Sequence, residues 1–340
     1  MSSLSRPSTT WPWWLGLMLF SAVMVSLGCL SGSSGLQSVS ALQNDPMGSV
    51  LLWDIRLPRS LGAWVAGALL GLAGGVAQAL FRNPLADPYL LGSASGGALG
   101  MALALTGWIG LGGGVLVIGA SWGVSLGLSG MAFAGAALAV ALTLTLSRGT
   151  ESSPRLLLAG VVVGVILGAL TSLLLLLVPS AWPGMQSFLL GTTAAMTWPG
   201  IGLMGLVLLC SGTLVWGLSP VLDGLTLGEA TARSLGLPLE GARVLLVGAL
   251  ALCTATSVAH AGLIAFVGLV APHLVRGHLA VGHGPAVLLS AATGGGLLLA
   301  ADVMARVWLA PRELPVGLWT ALLGGGYLLW RLHSGRKDAM

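Results

Sequence analysis

Apolar residues run in blocks of about twenty along almost the whole chain, and polar or helix-breaking residues are confined to short intervals between them. Crossing ~30 Å of hydrocarbon at ~1.5 Å per helical residue takes about 20 residues, so each block predicts a spanning helix. The first covers 11–30; no small-residue cleavage pattern leads from it into a soluble domain, which separates it from a secretion signal. A polar loop, 31–54, leads to IRLPR, and a second span is expected over 61–81. Two prolines in RNPLADP exclude a continuous helix beyond it. The stretch 96–146 is too long for one crossing and divides near Ser121 into a third and a fourth span. Arg148, Glu151 and Arg155 mark a short loop before a fifth, over 156–178. PSAWPGMQSFLLGTTAAMTWPG is less apolar and is expected at the interface or as a re-entrant piece. A sixth span covers 200–218, and 243–276 suffices for a full span and a short one, interrupted around His260, Gly262 and Pro272. Spans over 285–304 and 315–332 bring the count to ten, with nine as the alternative. The pattern predicts an all-α polytopic membrane protein, one transmembrane domain over 1–340.

Composition agrees: 56% of the 340 residues are hydrophobic and the mean hydropathy is +0.96, more apolar surface than one soluble core can hide. The net charge of +4 is too small and scattered for nucleic-acid binding and reports topology instead. With the N-terminus inside, the cytoplasmic set is Arg6, Arg82, Arg148, Arg155, Arg233, Arg243, Arg276, Arg331, Arg336 and Lys337, against Arg56, Arg59, Arg306 and Arg312 outside. Ten against four supports both termini in the cytoplasm. Cys29, Cys210 and Cys253 stand singly in apolar runs without metal or redox spacing, and are read as buried thiols.

Lys337 is the only lysine, so no GxxxxGK[ST] phosphate loop exists and the chain does not hydrolyse ATP itself. No HExxH, paired-cysteine or nucleophile-elbow motif is present, and no catalytic residue, metal site or cofactor is expected. Small residues recur every four positions at Ala63, Gly67, Gly71, Gly75 and Ala79, at Gly160, Gly164 and Gly168, and at Gly317, Ala321 and Gly325. Such stripes let helix backbones touch, either within the subunit or at a dimer seam or translocation wall. Charges gather at TLGEATARSLGLPLEGAR, where Glu229 and Arg233 are an i, i+4 pair in a short helix that Gly236 and Pro238 stop. Its balanced charge is unlike the Lys/Arg-rich face of a lipid-surface helix and suits docking of a cytoplasmic partner. Arg56 and Arg59 straddle Pro58 on the other face, as snorkelling anchors or as exposed cations for an acidic partner. Asp302 and Arg306 form another i, i+4 pair, a local ion pair or part of the same patch. His260 and His273 lie in apolar surroundings with no second ligand at useful spacing, and are read as structural.

Taken together, IRLPRSLGAWVAGALLGLAGGVAQALFRNPLADPYLLGSASGGALG, LLLAGVVVG, LTLGEATARSLGLPL, GLIAFVGLVAPHLVR, LLLAADVMARV and ELPVGLWTALLGGGYLLWRL resemble the FecCD-type permeases of binding-protein-dependent ABC importers, in order and from Trp53 to Arg331. The resemblance implies a type II importer permease fold with ten helices per subunit. It implies separate ATPase subunits, a periplasmic binding protein and a second permease subunit, here a homodimer, in the inner membrane. It makes 219–243 the segment that couples to the ATPases, with Gly228, Glu229, Ala232, Arg233, Leu235 and Gly236 at the contact. Arg56, Arg59 and Arg306 match positions that present arginines to the binding protein, and Gly160, Gly164, Gly168, Gly317 and Gly325 fall on helices that line the path. The family carries iron-siderophores, haem and vitamin B12; an iron-siderophore is the first expectation, cobalamin the second and haem the third. An ion-coupled secondary transporter is the rival class. It needs intramembrane acids, and the span interiors offer only Asp302, near an end. A non-transporting scaffold would leave the outer arginines and the inner docking helix unexplained together.

Overall fold

The computed structural model describes residues 10–32, 35–36, 47–110, 122–147 and 153–335. The expected division near Ser121 and the topological charges Arg6, Arg148, Glu151, Arg336 and Lys337 lie outside the described residues. Helix α1 (Trp11–Leu30) ends in a two-stranded antiparallel turn, β1 (Ser31–Gly32) and β2 (Gly35–Leu36). The other long helices are α2 (Gly48–Leu80), α3 (Ser93–Gly110), α4 (Trp122–Leu146) and α5 (Ser153–Leu177). A short α6 (Trp182–Leu190) follows, then α7 (Trp198–Gly217), α8 (Ser219–Thr226), α9 (Glu229–Ser234) and α10 (Leu239–Ala261). The chain closes with α11 (Val267–His278), α12 (His283–Val307) and α13 (Val316–Gly335). Seven of these helices are long and apolar enough to cross a membrane, and α3, α13 and the short α11 occupy the remaining predicted positions.

α2 begins some thirteen residues before the expected second span, which corrects the extension of the polar loop to residue 54. Pro58 has no N–H to give to the preceding turn, and its ring crowds the carbonyl four residues back. The helix accommodates it by opening residues Leu51–Arg56 into π-helical turns, with Leu57 N–H reaching back to the Leu52 carbonyl. Arg56 and Arg59 therefore project from a helix.

α2 is the central staff, with 89% of its apolar stretch buried against α12, α10, α11 and α7. Its small residues serve that packing, which settles the two readings of the stripe in favour of contact within the subunit. A Cβ on Gly67 would stand 2.3 Å from the Gly294 carbonyl oxygen, one on Gly71 2.1 Å from that of Ser290, and one on Gly74 1.6 Å from that of Gly268. Backbones this close gain dispersion contact that lipid cannot supply. α5 is the opposite case, only 17% buried over its apolar stretch, with Leu158, Val165, Ile166, Leu173 and Leu176 exposed along it.

The interruption expected after His260 is there, between Ala261 and Val267, while Pro272 is carried inside α11. A chain break at this depth must find hydrogen-bond partners in protein. The end of α6 supplies them: Leu263 N–H donates to the Phe188 carbonyl at 3.0 Å and Thr192 N–H to that of Ala261 at 2.9 Å. The polar stretch before α7 is thus a short helix folded back onto the α10–α11 break.

Candidate coupling and docking sites

The segment between α7 and α10 is built as a platform. Val221, Leu222 and Leu225 bury one face of α8, and Gly228, at φ +98°, reverses the chain into α9. Gly236, at φ +75°, reverses it again, and Leu237 N–H donates to the Ala232 carbonyl at 3.2 Å. Positive φ at both turns is where glycine carries no steric penalty. Ala232 is fully buried in the seam between α8 and α9, so it locates the small helix and is not a surface contact. Leu227, Leu235 and Arg233 remain exposed on the outer side.

Glu229 does not pair with Arg233 as its spacing predicts. Its carboxylate forms an ion pair with Arg243 at the start of α10. The guanidinium of Arg243 is buried, and a buried cation needs a counter-charge more than an exposed one does. Hydrogen bonding from Arg243 holds the Glu229 carboxyl below the usual carboxylate range, with Arg82 and Arg233 adding to the effect. A second tie, which no spacing rule marks, joins Asp223 of α8 to His283 at the start of α12, with ring Nδ1 at 2.6 Å from Oδ1.

At the other end of the bundle, Arg56, Arg59 and Arg306 come together as expected, but not as exposed cations. All three are buried, Arg306 to 2% exposure; Arg59 and Arg306 turn inward because Asp302 of α12 is itself fully buried and must be neutralised. Arg59 Nε donates to Asp302 Oδ1 at 3.0 Å and Arg59 Nη1 to Glu313 Oε2 at 2.7 Å. Arg306 binds the other Asp302 oxygen, the Gly28 carbonyl at 2.9 Å and Ser60 Oγ at 3.1 Å. Thr193 Oγ1 also donates to Asp302, and Arg56 Nη1 donates to the Cys29 carbonyl at 3.1 Å. The i, i+4 pair of Asp302 and Arg306 is thus the centre of a network that draws in Arg59 from α2 and Glu313 from the following loop. Sequence reasoning missed Glu313 because it lies 254 positions from its partner.

The glycines expected on the path separate into two places. Gly160 packs against the turn before α3, where a Cβ would lie 2.0 Å from the Leu90 carbonyl oxygen. A Cβ on Gly164 would lie 3.5 Å from Ser95 Oγ, and one on Gly168 would meet nothing within 4 Å. Gly317 and Gly325 belong to the α10–α11 break instead: a Cβ on Gly317 would lie 2.2 Å from the Leu190 carbonyl oxygen and one on Gly325 3.7 Å from the Phe266 ring. Gly160, Gly317 and Gly325 therefore have packing duties within the subunit.

The remaining candidates behave as structure. His260 Nδ1 bonds the Thr256 carbonyl within its own helix, and the His273 ring packs edge-on to Tyr327 at 5.9 Å. Among the described residues no group of three His, Cys, Asp or Glu side chains could hold a metal. Of the three thiols only Cys253 is fully buried; Cys210 is exposed on α7, contrary to the reading of all three as buried. Asp302 fails the requirement of an ion-coupling site, since two guanidinium groups already neutralise it.

A model of the FecCD transport family matches residues 15–334. The chain is 36% identical over 336 residues to a vitamin B12 import system permease protein BtuC of Escherichia coli O9:H4 (strain HS), covering 98% of this chain and 97% of that one. A protein of the same name from Escherichia coli O17:K52:H18 (strain UMN026 / ExPEC) is 37% identical over 336 residues, with 97% of each chain covered. Among solved structures, one described as an inward-facing conformation of a metal-chelate type ABC transporter superposes with a TM-score of 0.80 at 29% identity, over 94% of this chain and 98% of that one. PsaBC from Streptococcus pneumoniae in complex with Fab is similar in fold alone, with a TM-score of 0.58 at 18% identity over 86% and 92% of the two chains.

Proposed function

Because this chain belongs to the FecCD transport family, and is a multi-pass permease of the ABC importers that handle metal chelates and vitamin B12, we propose that its own cargo is cobalamin, moved from periplasm to cytoplasm. The single observation that carries the choice is the end-to-end likeness to vitamin B12 permeases, at 36% identity over 98% of the chain. It moves cobalamin ahead of the ferric siderophore that the sequence alone put first. The siderophore remains the second reading, favoured by the likeness to a metal-chelate type transporter at a TM-score of 0.80.

Energy comes from a separate ATPase docking on α8 and α9. Arg233, Leu235 and Leu227 present side chains to it, Gly228 and Gly236 shape the surface, and Glu229 and Ala232 hold it in place. A periplasmic binding protein approaches the opposite end. Arg59 is the arginine through which it engages, because its partner Glu313 keeps a side chain 34% exposed and can be displaced by an incoming carboxylate. A second copy of the chain covers the apolar face of α5, and Gly164 and Gly168 lie on the wall of the path between the two copies. The subunit sits in the inner membrane with both termini in the cytoplasm, the side that the arginine distribution favours. Uptake of radiolabelled cyanocobalamin and of a labelled ferric siderophore, side by side in cells with and without this gene, tests the cargo. Selective loss of cobalamin uptake is expected; selective loss of iron uptake reverses the assignment.

A further inference from the structure

Two side-chain ties mount the coupling segment on the long helices. One is Glu229 with Arg243 of α10; the other is Asp223 with His283 of α12. In the second, one carboxylate oxygen accepts from two donors of a single residue, the His283 backbone N–H at 3.0 Å and ring Nδ1 at 2.6 Å. A carboxylate has no proton to give here, so the imidazole proton sits on Nδ1. The backbone donor is one of the first-turn N–H groups that a helix leaves without an internal partner. Gly282, at the N-cap, has no side chain to satisfy it. Asp223 therefore caps α12 from another helix, across 60 positions of sequence, and its charge is favoured at that end of the helix dipole.

What α12 reaches at its other end gives this tie a consequence. α12 runs without a break from His283 to Val307, about 37 Å at the α-helical rise, while α10 stops at Ala261 and the chain is non-helical until Val267. Near its far end α12 carries Asp302 and Arg306, and Asp302 holds Arg59 of α2, which in turn holds Glu313. One rigid element is thus fastened to the coupling segment at one end and to the outer arginine cluster at the other. We propose that Asp223 and His283 are positioning residues that pass movement of the coupling segment into α12, and through α12 to the Arg59 cluster on the opposite face. The proposal rests on the reading of α8 and α9 as the ATPase-facing segment.

The test uses the permease reconstituted in proteoliposomes with its ATPase and binding protein. Import of labelled cyanocobalamin, or of a labelled ferric siderophore, is measured per ATP hydrolysed. Asp223→Ala is expected to lower import per ATP at least about fivefold, the lower end for coupling between two sites, while the ATPase still co-purifies. Asp223→Asn is expected to restore most of it, because the carboxamide oxygen still accepts from His283. Unchanged import per ATP in Asp223→Ala overturns the proposal. So does loss of ATPase association, which would make Asp223 a docking residue. If Asp223→Ala does not insert, His283→Ala, which keeps the backbone cap, decides the same comparison: a fall in import per ATP supports the tie and an unchanged ratio overturns it. Wild-type vesicles that import neither probe overturn the functional reading on which the tie depends.

Discussion

Replacing Asp302 by Asn is the severest test of how the end of the bundle around the arginine cluster is held together. Asp302 is fully buried and takes hydrogen bonds from Arg59, Arg306 and Thr193. The substitution keeps the volume and one acceptor oxygen but removes the only carboxylate that Arg306 touches among the described residues. Arg306 is then left at 2% exposure with two neutral acceptors, Gly28 and Ser60, while Arg59 keeps Glu313. Breaking a buried pair by removing one partner costs about 3–5 kcal/mol, because the other charge stays behind uncompensated. Losing only the Thr193 hydrogen bond, by Thr193→Val, should cost about 1 kcal/mol. The assay is unfolding of the detergent-solubilised protein by titration with SDS, followed by tryptophan fluorescence. Pairing Asp302→Ala with Arg306→Ala should recover part of the loss, since no charge is then stranded between α1 and α12 and coupling of about 0.5–3 kcal/mol is expected for such neighbours. An Asp302→Asn protein within about 1 kcal/mol of wild type would refute the reasoning. Loss of transport without loss of stability would go further and reinstate Asp302 as an ion-coupling site.

Two other outcomes follow from the same geometry. Glu313→Gln releases Arg59 from its exposed partner, so an acidic binding protein should bind the permease more tightly and with a steeper salt dependence, measured by surface plasmon resonance on nanodiscs; weaker binding would show that Glu313 itself contacts the partner. Gly71→Val should cost about 1–3 kcal/mol or more in the SDS titration, because its Cβ meets the Ser290 carbonyl oxygen at 2.1 Å, whereas Gly168→Ala, with nothing within 4 Å, should change stability by no more than about 0.5 kcal/mol.

The helices, the α10–α11 interruption and the short charged helix between α7 and α10 were legible in the sequence because each rests on local chemistry. Apolar blocks of spanning length are set by the bilayer, and Gly228, Gly236 and Pro238 punctuate the chain wherever they fall. The start of α2 was not legible. Pro58 reads as a boundary, and only the π-helical turns from Leu51 to Arg56 let the helix run through it. Charge partners were legible where they lay one turn apart on a sufficiently long helix, as with Asp302 and Arg306, and misleading where they did not. Glu229 and Arg233 have the same spacing, but α9 is only six residues long and a buried arginine on α10 competes for the carboxylate.

The same competition explains why the arginine cluster was located but its exposure misjudged. Sequence places Arg56, Arg59 and Arg306 near helix ends, where a cation can snorkel to water. It cannot show that Asp302 lies fully buried on α12, at the level where α2 presents the fully buried Ser60 and Ala63 to that helix. Close backbone contact leaves no room for water between the helices, so the charge on Asp302 must be met by whatever cations are adjacent, and the nearest are those on α2 and on α12 itself. The small residues of α2 and the inward turn of Arg59 are therefore linked: the close approach of the two helices, continued past the glycines by Ala63, is what makes the ion pairs necessary, and Glu313 is the part of that network whose side chain is partly exposed.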